Sequence, residues 1–130
     1  MALRHEELTG RIIGVCLEVF NELGHGFSES IYHKALLIAL MQAGLKAESE
    51  VRYKVFFRGH DVGEFVADIV VEDLIIIEVK ALATLIKEHQ AQVINYLKGT
   101  GKEVGLLVNF GSPKSQFKRL EHPDLYGAVD

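Results

Sequence analysis

The sequence predicts an α/β fold: one mixed β-sheet flanked by helices. Two segments with apolar residues at helical spacing come first, and three strand-like runs follow. A helix-length segment then leads into a further apolar run, and a crossover of that kind makes the two flanking strands parallel. A length of 130 residues suits one domain, residues 1–130, around one core. There is no internal repeat, linker or low-complexity segment.

Composition narrows the class of protein. Net charge is -4, which argues against coating nucleic acid by bulk electrostatics but fits a carboxylate cluster that a metal ion neutralises. No run of about 18 uncharged apolar residues is present, so no membrane-spanning helix is expected. Glu6 and Glu7 in the stretch Met1 to Gly10 are unlike a signal peptide. One cysteine, Cys16, excludes a disulfide framework and a cysteine-rich metal site; its apolar helical setting marks it as a buried small residue. A cytoplasmic protein is expected.

The first helix is expected over Leu8 to Leu23, with Ile12, Cys16, Val19, Phe20 and Leu23 on its apolar face and Thr9 as a cap. Gly24-His25-Gly26 ends it. Ser28 caps the second helix, with Phe27 and Tyr32 spaced as a hydrophobic staple, and Gly44 closes it. Glu29 lies in the first turn, where the helix dipole alone is reason enough for a carboxylate. A half-exposed strand with a basic outer face runs from Ser49 to Phe57, and Gly59 to Gly63 forms a turn. A third helix is expected from Lys87 to Lys98, then a buried strand from Val104 to Phe110 and a short edge strand around Phe117.

The chain is organised around Phe65 to Lys80. Two aliphatic runs, continuous enough to be covered on both faces, are separated by Glu72-Asp73. Asp68 sits inside the first run, and Glu78 and Lys80 close the second, two apart and so on one side of a strand. Buried charge is costly unless it is paired, bound to metal or used in chemistry. A two-residue loop would place Asp68 opposite Ile77. A three-residue loop, Glu72 to Leu74, pairs Val71 with Ile75 and sets Asp68 opposite Glu78. A shared metal site requires the second register.

Two carboxylates facing each other from adjacent strands make a hard-oxygen site of the kind Mg²⁺ takes, with water and substrate phosphate completing its shell. Lys80 would point into the same pocket, to orient a water or offset phosphate charge. Glu29 would supply a third carboxylate, directly or through water. Gln92 would hold Lys80 or a substrate group. His89, Gln92 and Tyr96 share a face of the third helix, and His89 is a candidate for the pocket. The other histidines, His5, His25, His33, His60 and His122, read as surface residues. Tyr32 and Tyr96 read either as site residues or as packed rings with a hydroxyl partner. The chemistry is metal-assisted phosphodiester hydrolysis. The plain alternative is a salt-bridged strand end, with Asp68, Glu78 and Lys80 in a buried ion network.

Gly26-Phe27-Ser28-Glu29-Ser30-Ile31-Tyr32 spells Gly-x-x-Glu-x-x-Tyr, followed by Asp68, Glu78-Val79-Lys80, and Gln92 with Tyr96. From the first helix to Phe110 the chain resembles the GxxExxY protein family, a branch of the PD-(D/E)XK nuclease superfamily. Ala67 stands where the superfamily has proline before the aspartate. The resemblance implies a restriction-endonuclease-like core and a nuclease acting on nucleic acid, DNA more than RNA, with Mg²⁺ and Mn²⁺ as its substitute. It implies Asp68, Glu78 and the main-chain carbonyl of Val79 as metal ligands, Lys80 beside the attacking water, and Glu29 and Gln92 in support. Small size suggests a homodimer, which would bring two sites to a duplex. The alternative function is a non-catalytic module of the same fold that binds nucleic acid or a protein partner.

Overall fold

A computed structural model describes residues 4–124; the first three residues of the charged N-terminal stretch lie outside it. Helix α1 spans Glu6–Leu23, earlier than its apolar pattern alone implies. Thr9 is no cap. It is buried one turn inside, and its hydroxyl donates to the carbonyls of His5 and Glu6. The helix ends at Gly24, whose N–H donates to the Phe20 carbonyl with φ at 70°. Helix α2 spans Glu29–Gln42 after Ser28 in extended conformation. The Phe27 and Tyr32 rings meet edge to face with centroids 6.2 Å apart, which forms the expected staple.

Strand β1, Ala47–Phe57, and strand β2, His60–Val71, form a long antiparallel hairpin. The expected turn from Gly59 to Gly63 is mostly strand. Arg58 and Gly59 both take positive φ, 50° and 78°, and close the hairpin in two residues. That left-handed pair matches the twist of the strands it joins. Strand β3, Ile75–Lys80, pairs antiparallel with β2. Helix α3, Lys87–Thr100, two residues longer than expected, crosses to strand β4, Val104–Asn109. Strand β4 is parallel to β3, as the crossover required, and strand β5, Gln116–Glu121, closes the edge antiparallel to β4. The sheet order is β1-β2-β3-β4-β5.

The sheet separates two apolar clusters. Helices α1 and α2 cover the larger, which holds Ile12, Cys16, Leu36, Ile69, Ile77 and Leu106. Helix α3 covers the smaller, where Leu97 meets Ala67, Val70 and Ile76. Gly105 permits that approach, since a Cβ there would lie 2.6 Å from Val93 Cγ1. Residues two apart on a strand share a face, yet Ala67 belongs to the α3 cluster and Ile69 to the other. The β1–β2 ladder runs from Ser49–Ile69 to Val51–Ala67 and skips Glu50 and Asp68. Glu50 has φ at 54°. The hairpin therefore swaps faces at these two residues, and the interruption is what turns Asp68 out of a core strand.

Candidate active site

The register question resolves to the three-residue loop. Val71 pairs with Ile75 and Ile69 with Ile77, so Asp68 falls opposite Glu78. Glu72 and Asp73 both take left-handed conformations, and the Leu74 N–H donates to the Val71 carbonyl. Leu74 is the extra residue that sets the register. The side chains of the acidic pair secure the turn: Glu72 accepts from the Lys46 N–H, and Asp73 lies 3.2 Å from Lys102 Nζ.

At Asp68 and Glu78 side chains take over from the backbone ladder. The Asp68 N–H donates to Glu78 Oε2 at 2.8 Å, and the Val79 N–H donates to Asp68 Oδ2 at 2.8 Å. Glu78 is buried and Asp68 half-buried. Burial raises the Asp68 carboxyl above its ordinary value, against the lowering effects of the Val79 N–H and the charges of His33 and Lys80. Burial, and then the neighbouring Asp68 charge, push Glu78 up to about 8. Tyr96 on α3 is raised as well, by burial and then by the charges of Glu78 and Asp68, which places its phenol beside the pair.

Lys80 lies near enough for its charge to lower both carboxyls. Among the described residues, however, no salt bridge joins it to either. The buried ion network expected of a purely structural domain is not formed. Each carboxylate has one oxygen held by a backbone N–H, and the other accepts no hydrogen bond from the described residues. Two crowded carboxylates with free oxygens and, among the described residues, no salt-bridged cation are a donor set that fits a hard divalent ion.

Glu29 opens α2 and lines a cleft with Asp68, His33, Lys34, Ser49 and Glu50. Among the described residues no three His, Cys, Asp or Glu side chains form a group that could hold an ion, and Glu29 lies near enough for its charge to raise Glu78. Gln92 sits one turn before Tyr96 and its side chain acts on that phenol; among the described residues it makes no hydrogen bond to Lys80. His89 turns to its own helix start, where Nδ1 accepts from the Ile86 N–H at 3.0 Å. Tyr32 is fully buried. It stacks on Phe110 with centroids 4.7 Å apart, donates to the Gly24 carbonyl and accepts from the Phe27 N–H. It packs rather than reacts, and it locks the bend that delivers Glu29. Burial pushes the Cys16 thiol up to about 12, as its packed setting implies.

His33 is a cleft residue that the sequence reading placed on the surface. It is half-buried, with Nε2 2.7 Å from Ser49 Oγ. The available signal was its position four residues after Glu29, on the same helix face.

A mixed five-stranded sheet with α2 set against a carboxylate pair at the β2–β3 junction defines an α/β restriction-endonuclease-like core. The model of the PD-(D/E)XK nuclease superfamily matches residues 6–120, and the chain belongs to that superfamily. No curated protein matches it. Among solved structures, the crystal structure of SSO0001 is similar in fold, with a TM-score of 0.61 and 24% sequence identity. The match covers 72% of this chain and 50% of that one, so this chain spans about half the length of SSO0001. Among the described residues no helix is long and apolar enough to cross a membrane.

Proposed function

We propose that the chain is a Mg²⁺-dependent nuclease of the GxxExxY branch, a single domain that hydrolyses phosphodiester bonds in DNA in the cytoplasm and works as a homodimer. The observation that carries this reading is the Asp68–Glu78 pair, opposed in register, raised in pKa and, among the described residues, in no salt bridge to a cation. The superfamily supports a nucleic-acid substrate.

Asp68, Glu78 and the main-chain carbonyl of Val79 would hold the ion, with Glu29 acting across the cleft through water. Bound there, Mg²⁺ supplies Lewis acidity toward the phosphodiester and neutralises charge on it. The chain's own residues do the rest. Lys80 orients the attacking water and offsets negative charge as it develops. Backbone N–H donors keep both carboxylates aimed, so little reorganisation accompanies reaction. Tyr96, with Gln92 acting on its phenol, borders the pair from α3.

Calorimetry with Mg²⁺ and Mn²⁺ on the wild type and Asp68→Ala tests the metal. Binding that depends on Asp68 is expected, and its absence removes the reading. Cleavage of single-stranded, duplex and branched DNA, with Lys80→Ala as control, tests the chemistry. Loss of metal-dependent cleavage in that variant separates this enzyme from a contaminant, and binding without cleavage would favour a non-catalytic module.

A further inference from the structure

The β1–β2 hairpin carries a feature that the carboxylate site does not use. Every residue from Phe56 to Glu64 is exposed. The tip therefore projects from the sheet, and two adjacent aromatic rings are left in solvent: Phe56 is 60% exposed and Phe57 58%. The register shift between Val55 and Phe56 ends the regular alternation just before them. The Arg58 guanidinium lies 4.9 Å from the Phe57 ring centroid, and among the described residues it has no carboxylate partner. Farther down the hairpin Arg52 and Lys54 are paired with Glu64 and Asp61. The uncompensated charge is thus at the tip, beside the exposed rings.

We propose that this tip is a base-stacking subsite for unpaired nucleobases, so that the substrate is DNA with a single-stranded or opened segment next to duplex. The inference rests on the nuclease reading above. Exposed aromatic rings accept bases of any sequence by stacking, and an adjacent arginine adds cation–π and phosphate attraction. The same strand, β2, carries both the tip and Asp68. The roughly eight residue steps from His60 to Asp68 cover about 26 Å of strand.

The test uses the full chain with two probes of equal length: a forked duplex with 2-aminopurine in its single-stranded arm, and a fully paired duplex. Binding is read in EDTA by 2-aminopurine fluorescence. The wild type is expected to bind the fork about tenfold or more tightly than the paired duplex and to alter the fluorescence of the arm. Phe56→Ala/Phe57→Ala is expected to lose that preference and the fluorescence response while binding paired duplex unchanged. Arg58→Ala is expected to weaken fork binding by a smaller factor. All three side chains are exposed, so thermal unfolding should match the wild type.

Equal loss on both probes, or a wild type with no fluorescence response, overturns the inference. So does a double variant that changes from dimer to monomer in sedimentation while keeping its fork preference, since the tip would then bind a second copy of the chain. The two readings fail separately. Fork preference without Mg²⁺-dependent cleavage sinks the nuclease and leaves the subsite. Cleavage of forks by the double variant at the wild-type rate and position sinks the subsite and leaves the nuclease.

Discussion

Asp68 and Glu78 hold each other's strands: each carboxylate accepts the N–H that the opposite strand would otherwise offer to a carbonyl, both at 2.8 Å. One pair of side chains thus continues the sheet and presents the free oxygens of the site.

Stability without metal should fall as pH rises. Glu78 has an ordinary value of 4.5 and is raised to about 8 in the folded chain. Between those values the folded state holds a proton that the unfolded state has lost, so ∂ΔG/∂pH is negative. The contribution of protonated Glu78 is complete below about 4.5 and is lost as pH passes through 8. Chemical denaturation in EDTA from pH 5 to 9 checks this. Glu78→Gln, which keeps an acceptor for the Asp68 N–H, should remove the slope and be the more stable protein at pH 8 while losing metal binding. A variant less stable than wild type at that pH would contradict the assignment.

Mg²⁺ should displace a proton. At neutral pH Glu78 is largely protonated, and an ion needs the carboxylate. Binding enthalpy measured at pH 7 in buffers of different ionisation enthalpy should reveal release of up to about one proton. The release should shrink toward pH 9, and affinity should rise over the same interval. Binding with no buffer dependence would place the ion elsewhere.

Two substitutions at position 68 should separate fold from chemistry. Asp68→Asn keeps an acceptor for the Val79 N–H, whereas Asp68→Ala orphans it. An unsatisfied buried donor costs about 1–3 kcal/mol. Asp68→Asn should therefore be more stable than Asp68→Ala by roughly that amount, with cleavage lost in both. Equal melting temperatures would show that the Val79 bond carries no weight.

Tyr32→Phe should cost stability and spare the metal. The ring keeps its stack on Phe110, but the Gly24 carbonyl and Phe27 N–H lose their partner. A loss of about 1 kcal/mol is expected in denaturant unfolding. Mg²⁺ affinity should remain within about twofold, because the hydroxyl points to the bend before α2 and not to the carboxylates. A tenfold loss of affinity would return Tyr32 to the site.

How far these features could be read in the chain depended on whether a local rule decides them. Helical periodicity and the crossover length were enough for the element order and for the parallel β3–β4 pair. Charge inside aliphatic runs marked Asp68, Glu78 and Lys80, but their juxtaposition hung on the turn at Glu72 to Leu74. Two loop lengths fit that sequence, and the left-handed conformation of Glu72 is unusual for a residue without special preference for it. The same limit hid the tightness of the β1–β2 turn, because Arg58 before Gly59 is not a common left-handed pair and the glycines at 59 and 63 suggested a longer turn. The cleft partner Glu50 escaped for a different reason, whereas His33 carried the signal of its helical spacing from Glu29. The position of Glu50 depends on the face swap at Glu50 and Asp68, a tertiary event with no periodic signature.

That swap and the bonds beside it bear on how such a chain can decay. If catalysis were no longer selected, Ala or Val at position 68 would orphan the Val79 amide, and at position 78 the Asp68 amide. Either would cost about 1–3 kcal/mol where β2 meets β3. Drift would be channelled through Asn and Gln, the isosteres that still accept those bonds. A silent descendant would therefore look almost intact, with its loss written in two amide nitrogens.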